Sequence, residues 1–177
     1  MKTPSLVVAV GDVLQQGIGW LDEISSEVYV RPLDASPAAC SLGTHYRHVL
    51  DHFLCLVEGL RTGQVNYDRR QRNPQLEESM EYARLTSEGL MEEFRGLSAA
   101  DLGRACTVTS SVGYGTSGAE AVASNVGREI MFCIAHAIHH YAILKMLCTG
   151  MGIELSYEFG VAPSTLKHLE ARSGQEV

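Results

Sequence analysis

Six of the chain's seven histidines fall in two short windows. The first, Gly43 to Phe53, reads GTHYRHVLDHF and holds His45, His48 and His52. The second, Ala135 to Tyr141, reads AHAIHHY and holds His136, His139 and His140; only His168 lies elsewhere. On a helix, residues four apart share one face, with roughly 6 Å between Cβ atoms. His48 and His52 have that spacing, and so do His136 and His140. Two imidazoles so placed can grip one metal ion, as in the H-x-x-x-H halves of zinc helices, provided a third ligand comes from a second helix. A single pair of this kind is more often hydrogen-bonded core. Two windows on inward faces are a different case. A buried imidazole without a partner costs roughly 1–3 kcal/mol, and several would burden a marginally stable domain. A shared ion removes that burden, because ligation satisfies one ring nitrogen and an outer acceptor takes the other.

The elements that must position these windows are helices. Apolar residues at helical spacing predict a first helix over about Ser5 to Ser26, carried by Leu6, Val10, Val13, Leu14, Ile18, Leu21 and Ile24. Pro32 and Pro37 then mark a linker. A second helix is expected over about Ser41 to Thr62, with Leu42, His45, Val49, His52, Leu56 and Leu60 inward, His48 beside them and Gly63 as the stop. A third starts near Asn73-Pro74 and runs to about Leu97, and a fourth runs from about Ser124 to Gly150. Ile130, Cys133, Ala137, Leu144 and Leu147 carry the stripe into which His136 and His140 fit. Between helices three and four, two short alternating runs flank GYGTSG, which predicts a hairpin-like insertion. A short capped helix is expected in APSTLKHLEAR. The fold class is therefore all-α, a four-helix bundle with long crossover connections and a small hairpin-like insertion before the last long helix. Residues 1–177 are read as a single domain of that kind.

Composition narrows the function classes. Lys plus Arg total 14 and Asp plus Glu 21, for a net charge of −7. That argues against nucleic acid and against an anionic membrane surface as partners, since both want a basic face. Five cysteines, an odd number with no C-x-x-C pair, fit a reducing compartment. Cys55, Cys133 and Cys148 lie in apolar helical patterns and read as small core residues. The apolar run at the N-terminus is short and interrupted, and no run reads as a membrane span. The expected location is cytoplasmic.

HYRHVLDHF on the second helix, followed by AHAIHHYAIL on the fourth, resembles the DinB/YfiT-like superfamily of metalloenzymes. The resemblance covers most of the chain: four helices, an insertion before the last, and two histidine windows in order. It implies one metal ligand early in the second helix and an H-x-x-x-H pair in the fourth. The match of RHVLDH places the first ligand at His48 and the pair at His136 and His140, with His52, His45 and His139 as alternates. It also implies a divalent transition metal, zinc or nickel first, iron or manganese next. All four accept imidazole, so the ligand set does not choose among them. It further implies either a metal-dependent hydrolase or a transferase of small cellular thiols, and a homodimer is compatible with it.

Three neutral imidazoles leave coordination positions open, whereas a structural zinc site is closed by four protein ligands. An open site admits water, whose pKa falls toward ~7 on zinc, or a thiol, which is deprotonated outright. The expected partner is a small molecule, a low-molecular-weight thiol among the candidates. Asp51, three residues after His48, is the candidate to orient a ring or act as a base, against its reading as a solvated helix carboxylate. Glu129, two turns before His136, is a candidate fourth ligand or outer acceptor. The basic run NYDRRQR, Asn66 to Arg72, reads chiefly as an interhelix turn with surface salt bridges, some 20–30 Å from His48 if the second helix carries it away at 1.5 Å per residue. The alternative function is a non-catalytic, metal-binding stress-response protein in which the ion stabilises the bundle. A di-iron centre would want inward Glu residues and Glu-x-x-His motifs, which the fourth helix lacks.

Overall fold

Apolar periodicity becomes helix along most of the chain in a computed structural model that describes residues 3–35, 40–114 and 119–173. In chain order the helices and strands are α1 (Ser5–Asp22), a short α2 (Ser26–Val30), α3 (Leu42–Thr62) and β1 (Gln64–Asn66). A 3-10 turn (Tyr67–Arg69) leads to α4 (Gln75–Glu78) and α5 (Met80–Arg95). Then come α6 (Ala99–Gly103), β2 (Ala105–Ser110), β3 (Glu120–Asn125), α7 (Val126–Gly150) and α8 (Pro163–Ser173). Helix α1 packs against α5 and α7, and α3 packs against the same two. Chain-consecutive α1 and α3 therefore lie across from each other, joined by a segment that includes α2.

Local chemistry sets the boundaries. Ser41 caps α3 with a capping box shared with Thr44, and Gly63, at φ 73°, closes it by donating to the Gly59 carbonyl. Asn125 caps α7 by accepting from the Arg128 amide. The first helix ends earlier than expected, at Asp22, because Ser25 starts α2 by accepting from the Val28 amide. The expected third helix is split at Ser79, whose extended backbone and side-chain bond to the Tyr82 amide restart the helix as α5. That break lets Leu76 of α4 turn inward, where its carbonyl accepts from the buried Tyr29 hydroxyl.

The all-α expectation is corrected by a three-stranded sheet in the order β1-β2-β3. The antiparallel β2–β3 pair, with Val108 opposite Val122, is the expected insertion. Of its GYGTSG turn, residues 115–118 lie outside the described residues. Strand β1 escaped notice because QVN is three residues long and carries no period; it pairs parallel to β2, with Val65 opposite Val108. A second correction concerns α7, which by length and composition is apolar enough to cross a membrane. Part of that apolarity is core: Ile130, Cys133, Ala137, Tyr141, Leu144 and Cys148 are buried. Tyr46 and Tyr141 lie fully buried against Gly17, where a Cβ would come within 2.6 Å of the Tyr46 hydroxyl. Neither tyrosine belongs to the histidine cluster.

Candidate metal centre

Helices α3 and α7 meet along the two histidine windows. Ring nitrogens of His48, His136 and His140 all lie within 4.8 Å of one another. His48 Nε2 and His136 Nε2 are 3.0 Å apart. Four-coordinate zinc with Zn–N near 2.0–2.1 Å holds its ligand nitrogens about 3.3 Å apart, so this spacing needs little adjustment to take an ion. All three side chains are half-buried. Among the described residues no fourth His, Cys, Asp or Glu joins the group at that spacing. The buried Nδ1 of His140 has no hydrogen-bond partner among the described residues.

The alternates take other positions. His52 is buried, and its ring centroid is 4.0 Å from that of His136. Its Nδ1 lies 2.8 Å from the His48 carbonyl oxygen, which fixes Nδ1–H as the donor and leaves the Nε2 lone pair uncommitted. His45 stands 5.8 Å from His140, ring to ring. His139 is exposed, as its place one residue from His140 on the helix requires.

Electrostatics keep the cluster neutral. Burial, then the neighbouring imidazoles, lower His48 to about 3. Burial also lowers His52, His136 and His140 to about 4 each, against an ordinary 6.5. Neutral imidazole is the ligating form, so the lone pairs are available across the physiological range. The charge of Arg70 adds to the lowering at His48, His52 and His136.

Arg70 belongs to the basic run, and its position overturns the expected separation of 20–30 Å. After Gly63 the chain reverses, β1 docks beside β2, and the 3-10 turn folds back onto α3. The Tyr67 ring stacks on His52 at 5.3 Å. Arg70 is half-buried, with Nη1 donating to the Tyr67 carbonyl at 2.5 Å and no carboxylate within ion-pair distance among the described residues. Sequence reasoning missed Tyr67 altogether. Its signal was Tyr67 itself, an aromatic residue inside a polar, basic turn.

Glu129 is buried and holds the arrangement from the far side. It accepts from the Tyr67 hydroxyl at 2.8 Å, from Ser124 Oγ at 2.5 Å and from Arg128 Nη1 at 3.2 Å. It thus fixes the ring that packs on His52 and stands outside the ligand group. Asp51 is also buried, but on the other flank of α3, where it lines a cavity between α3 and α5. Among the described residues no hydrogen bond joins it to an imidazole, and its Oδ2 has no hydrogen-bond partner. Burial pushes its carboxyl above the usual range.

Known proteins match this architecture. A DinB-like protein from Bacillus subtilis superposes with a TM-score of 0.63 over 88% of this chain and 99% of its own, at 14% identity. A protein of Rhizopus delemar described as FK506-binding protein 5 is 32% identical over 106 residues, which is 60% of this chain and 28% of that protein's length. The sequence profile of the DinB superfamily matches residues 18–144, from within α1 nearly to the end of α7 and across both histidine windows. This chain belongs to the DinB superfamily.

Proposed function

We propose that the protein is a mononuclear metal-dependent enzyme on a four-helix-bundle scaffold, with His48, His136 and His140 as the protein ligands. The observation that carries this reading is the group of three neutral ring nitrogens within 4.8 Å, contributed by two helices and without a fourth protein donor among the described residues. Structural zinc sites are closed by four ligands; three ligands on a half-buried rim match the open geometry of catalytic sites. A divalent ion held there, zinc or nickel first and iron or manganese next, would supply Lewis acidity to a ligand entering the open position.

The chain's own groups do the rest. The tautomer of His52 is fixed by the His48 carbonyl, leaving an Nε2 lone pair on a ring whose centroid is 4.0 Å from that of His136. That lone pair is placed to accept a proton or a hydrogen bond from a bound molecule. Tyr67 and Glu129 hold this ring in place. Arg70 puts a positive charge beside the cluster, with no ion-pair partner among the described residues, which suits a carboxylate on the substrate. The substrate class is a small molecule, and an acidic low-molecular-weight thiol satisfies both the ion and Arg70. The two reaction types are hydrolysis and thiol transfer.

The test is removal and return of the metal. Chelated protein should lose turnover of thiol-conjugation or hydrolysis substrates, regain it with zinc or nickel, and keep its far-UV circular dichroism. Turnover unaffected by chelation would overturn the enzyme reading. Loss of the fold with the metal would favour the alternative, an ion that chiefly stabilises the bundle, since binding energy would then be folding energy.

A further inference from the structure

A cavity of about 740 Å³ lies between α3 and α5, floored by β1 and the turn that follows it. It does not include the histidines. Its size falls in the range of small-molecule sites. Leu54, Val57 and Leu90 give it apolar wall. Asp51 closes one end at 2% exposure, with Oδ2 lacking a hydrogen-bond partner among the described residues. An unpartnered buried carboxylate oxygen is costly, and native structures retain few of them. Arg47 pairs with Glu77 at 3.3 Å; the charges of Arg47, Arg70 and Arg72 reach Asp51, but burial outweighs them, and among the described residues no guanidinium comes within ion-pair distance of it. The remaining lining charges partly cancel: Arg61 and Glu93 pair at 3.0 Å, leaving Asp51 and Glu58 against Arg69. The turn serves both compartments: Arg69, Gln71 and Asn73 line this cavity, while the charge of Arg70 bears on the histidines and on Asp51. Arg72 adopts φ 49°, a conformation uncommon for a non-glycine residue.

We infer that this cavity is a second ligand site, separate from the histidine cluster, for a small molecule carrying a protonated amine on an apolar body, with Asp51 as the acceptor of the amine. A charge-assisted bond to Oδ2 supplies the donor that the fold withholds, and the aliphatic wall takes the body. The inference does not rest on the metal reading, because none of the three histidines lines the cavity.

Hexylamine and hexanoate, equal in length and opposite in charge, are the probes. Each is titrated into the full-length protein, metal-free and zinc-loaded, by calorimetry and by amide NMR shifts. The expected result is saturable binding of hexylamine in both forms, with hexanoate at least tenfold weaker. Asp51→Asn should weaken hexylamine at least tenfold. Gly89→Leu should abolish binding without a folding penalty: Gly89 lines the cavity, and a Cβ there meets nothing within 4 Å. Equal affinity for the two probes, no saturable binding of hexylamine, or unchanged binding by either folded variant would overturn the inference.

Discussion

Lowering the pH should release metal from this site far less readily than from ordinary histidines. The perturbation is a shift from about pH 7 to about pH 5, read against imidazoles of unperturbed pKa near 6.5. Protons compete with metal at each ring by a factor of one plus ten to the power (pKa − pH). An unperturbed imidazole at pH 5 carries a factor of about 33, against about 1.3 at pH 7, so three together would cost on the order of 10⁴ in apparent affinity. The folded protein holds His48 at about 3 and His136 and His140 at about 4, chiefly through burial. With those values the same shift multiplies proton competition by less than about twofold over all three sites. The sign is the one expected of a depressed cationic group. The unfolded chain takes up protons near 6.5 and the folded chain does not, so metal-free stability is complete above about pH 6.5 and is lost as pH falls toward 4. Equilibrium dialysis against buffered zinc at a series of pH values, with elemental analysis of the retained metal and circular dichroism as a fold control, measures the effect. Retention nearly flat down to about pH 5 is the expected curve. Metal loss centred near pH 6.5 with the fold intact, steep enough for three protons, would refute the account of a desolvated, neutral cluster.

Other perturbations follow from contacts already described. Gly17→Ala drives a methyl group to within 2.6 Å of the Tyr46 hydroxyl between two fully buried tyrosines; urea unfolding should show a loss of about 1–3 kcal/mol. Tyr67→Phe keeps the ring on His52 but removes a donor from buried Glu129. It should cost about 1–3 kcal/mol by the same assay while leaving one metal per chain. Arg70→Met should raise KM for a carboxylate-bearing substrate about tenfold or more and leave KM for its neutral methyl ester within about twofold; equal effects on both would remove Arg70 from substrate recognition.

Where one helix face had to satisfy a simple period, the sequence was readable. The span of α3 and the inward stripe of α7 follow from apolar spacing, and the i, i+4 pairing placed His136 and His140 on one face. Two histidine windows on separate helices pointed to a common ion, but apolar spacing favoured His45 and His52, and only the family resemblance singled out His48. Chain reversal was the hidden part. Nothing in the spacing of NYDRRQR told of a strand pairing with β2, so Tyr67 and Arg70 were assigned to a distant turn. Asp51 shows the limit of helical spacing from the other direction. Three residues from His48 is one turn of helix, yet the carboxylate lies in the α3–α5 cavity and makes no hydrogen bond to a ring. Glu129 was a candidate fourth ligand or outer acceptor; its hydrogen bonds run instead to Tyr67, Ser124 and Arg128, and the contact with Tyr67 joins residues 62 apart in sequence.

The measurement closest to the central claim is the metal content of protein purified without an affinity tag, by elemental mass spectrometry, beside His136→Ala, His140→Ala and His139→Ala. About one zinc, nickel, iron or manganese per chain is predicted for the wild type and for the exposed-site control His139→Ala, with the metal lost from the other two variants. No bound metal under any loading condition, or metal retained when His136 or His140 is removed, would contradict the assignment of this cluster as a metal centre.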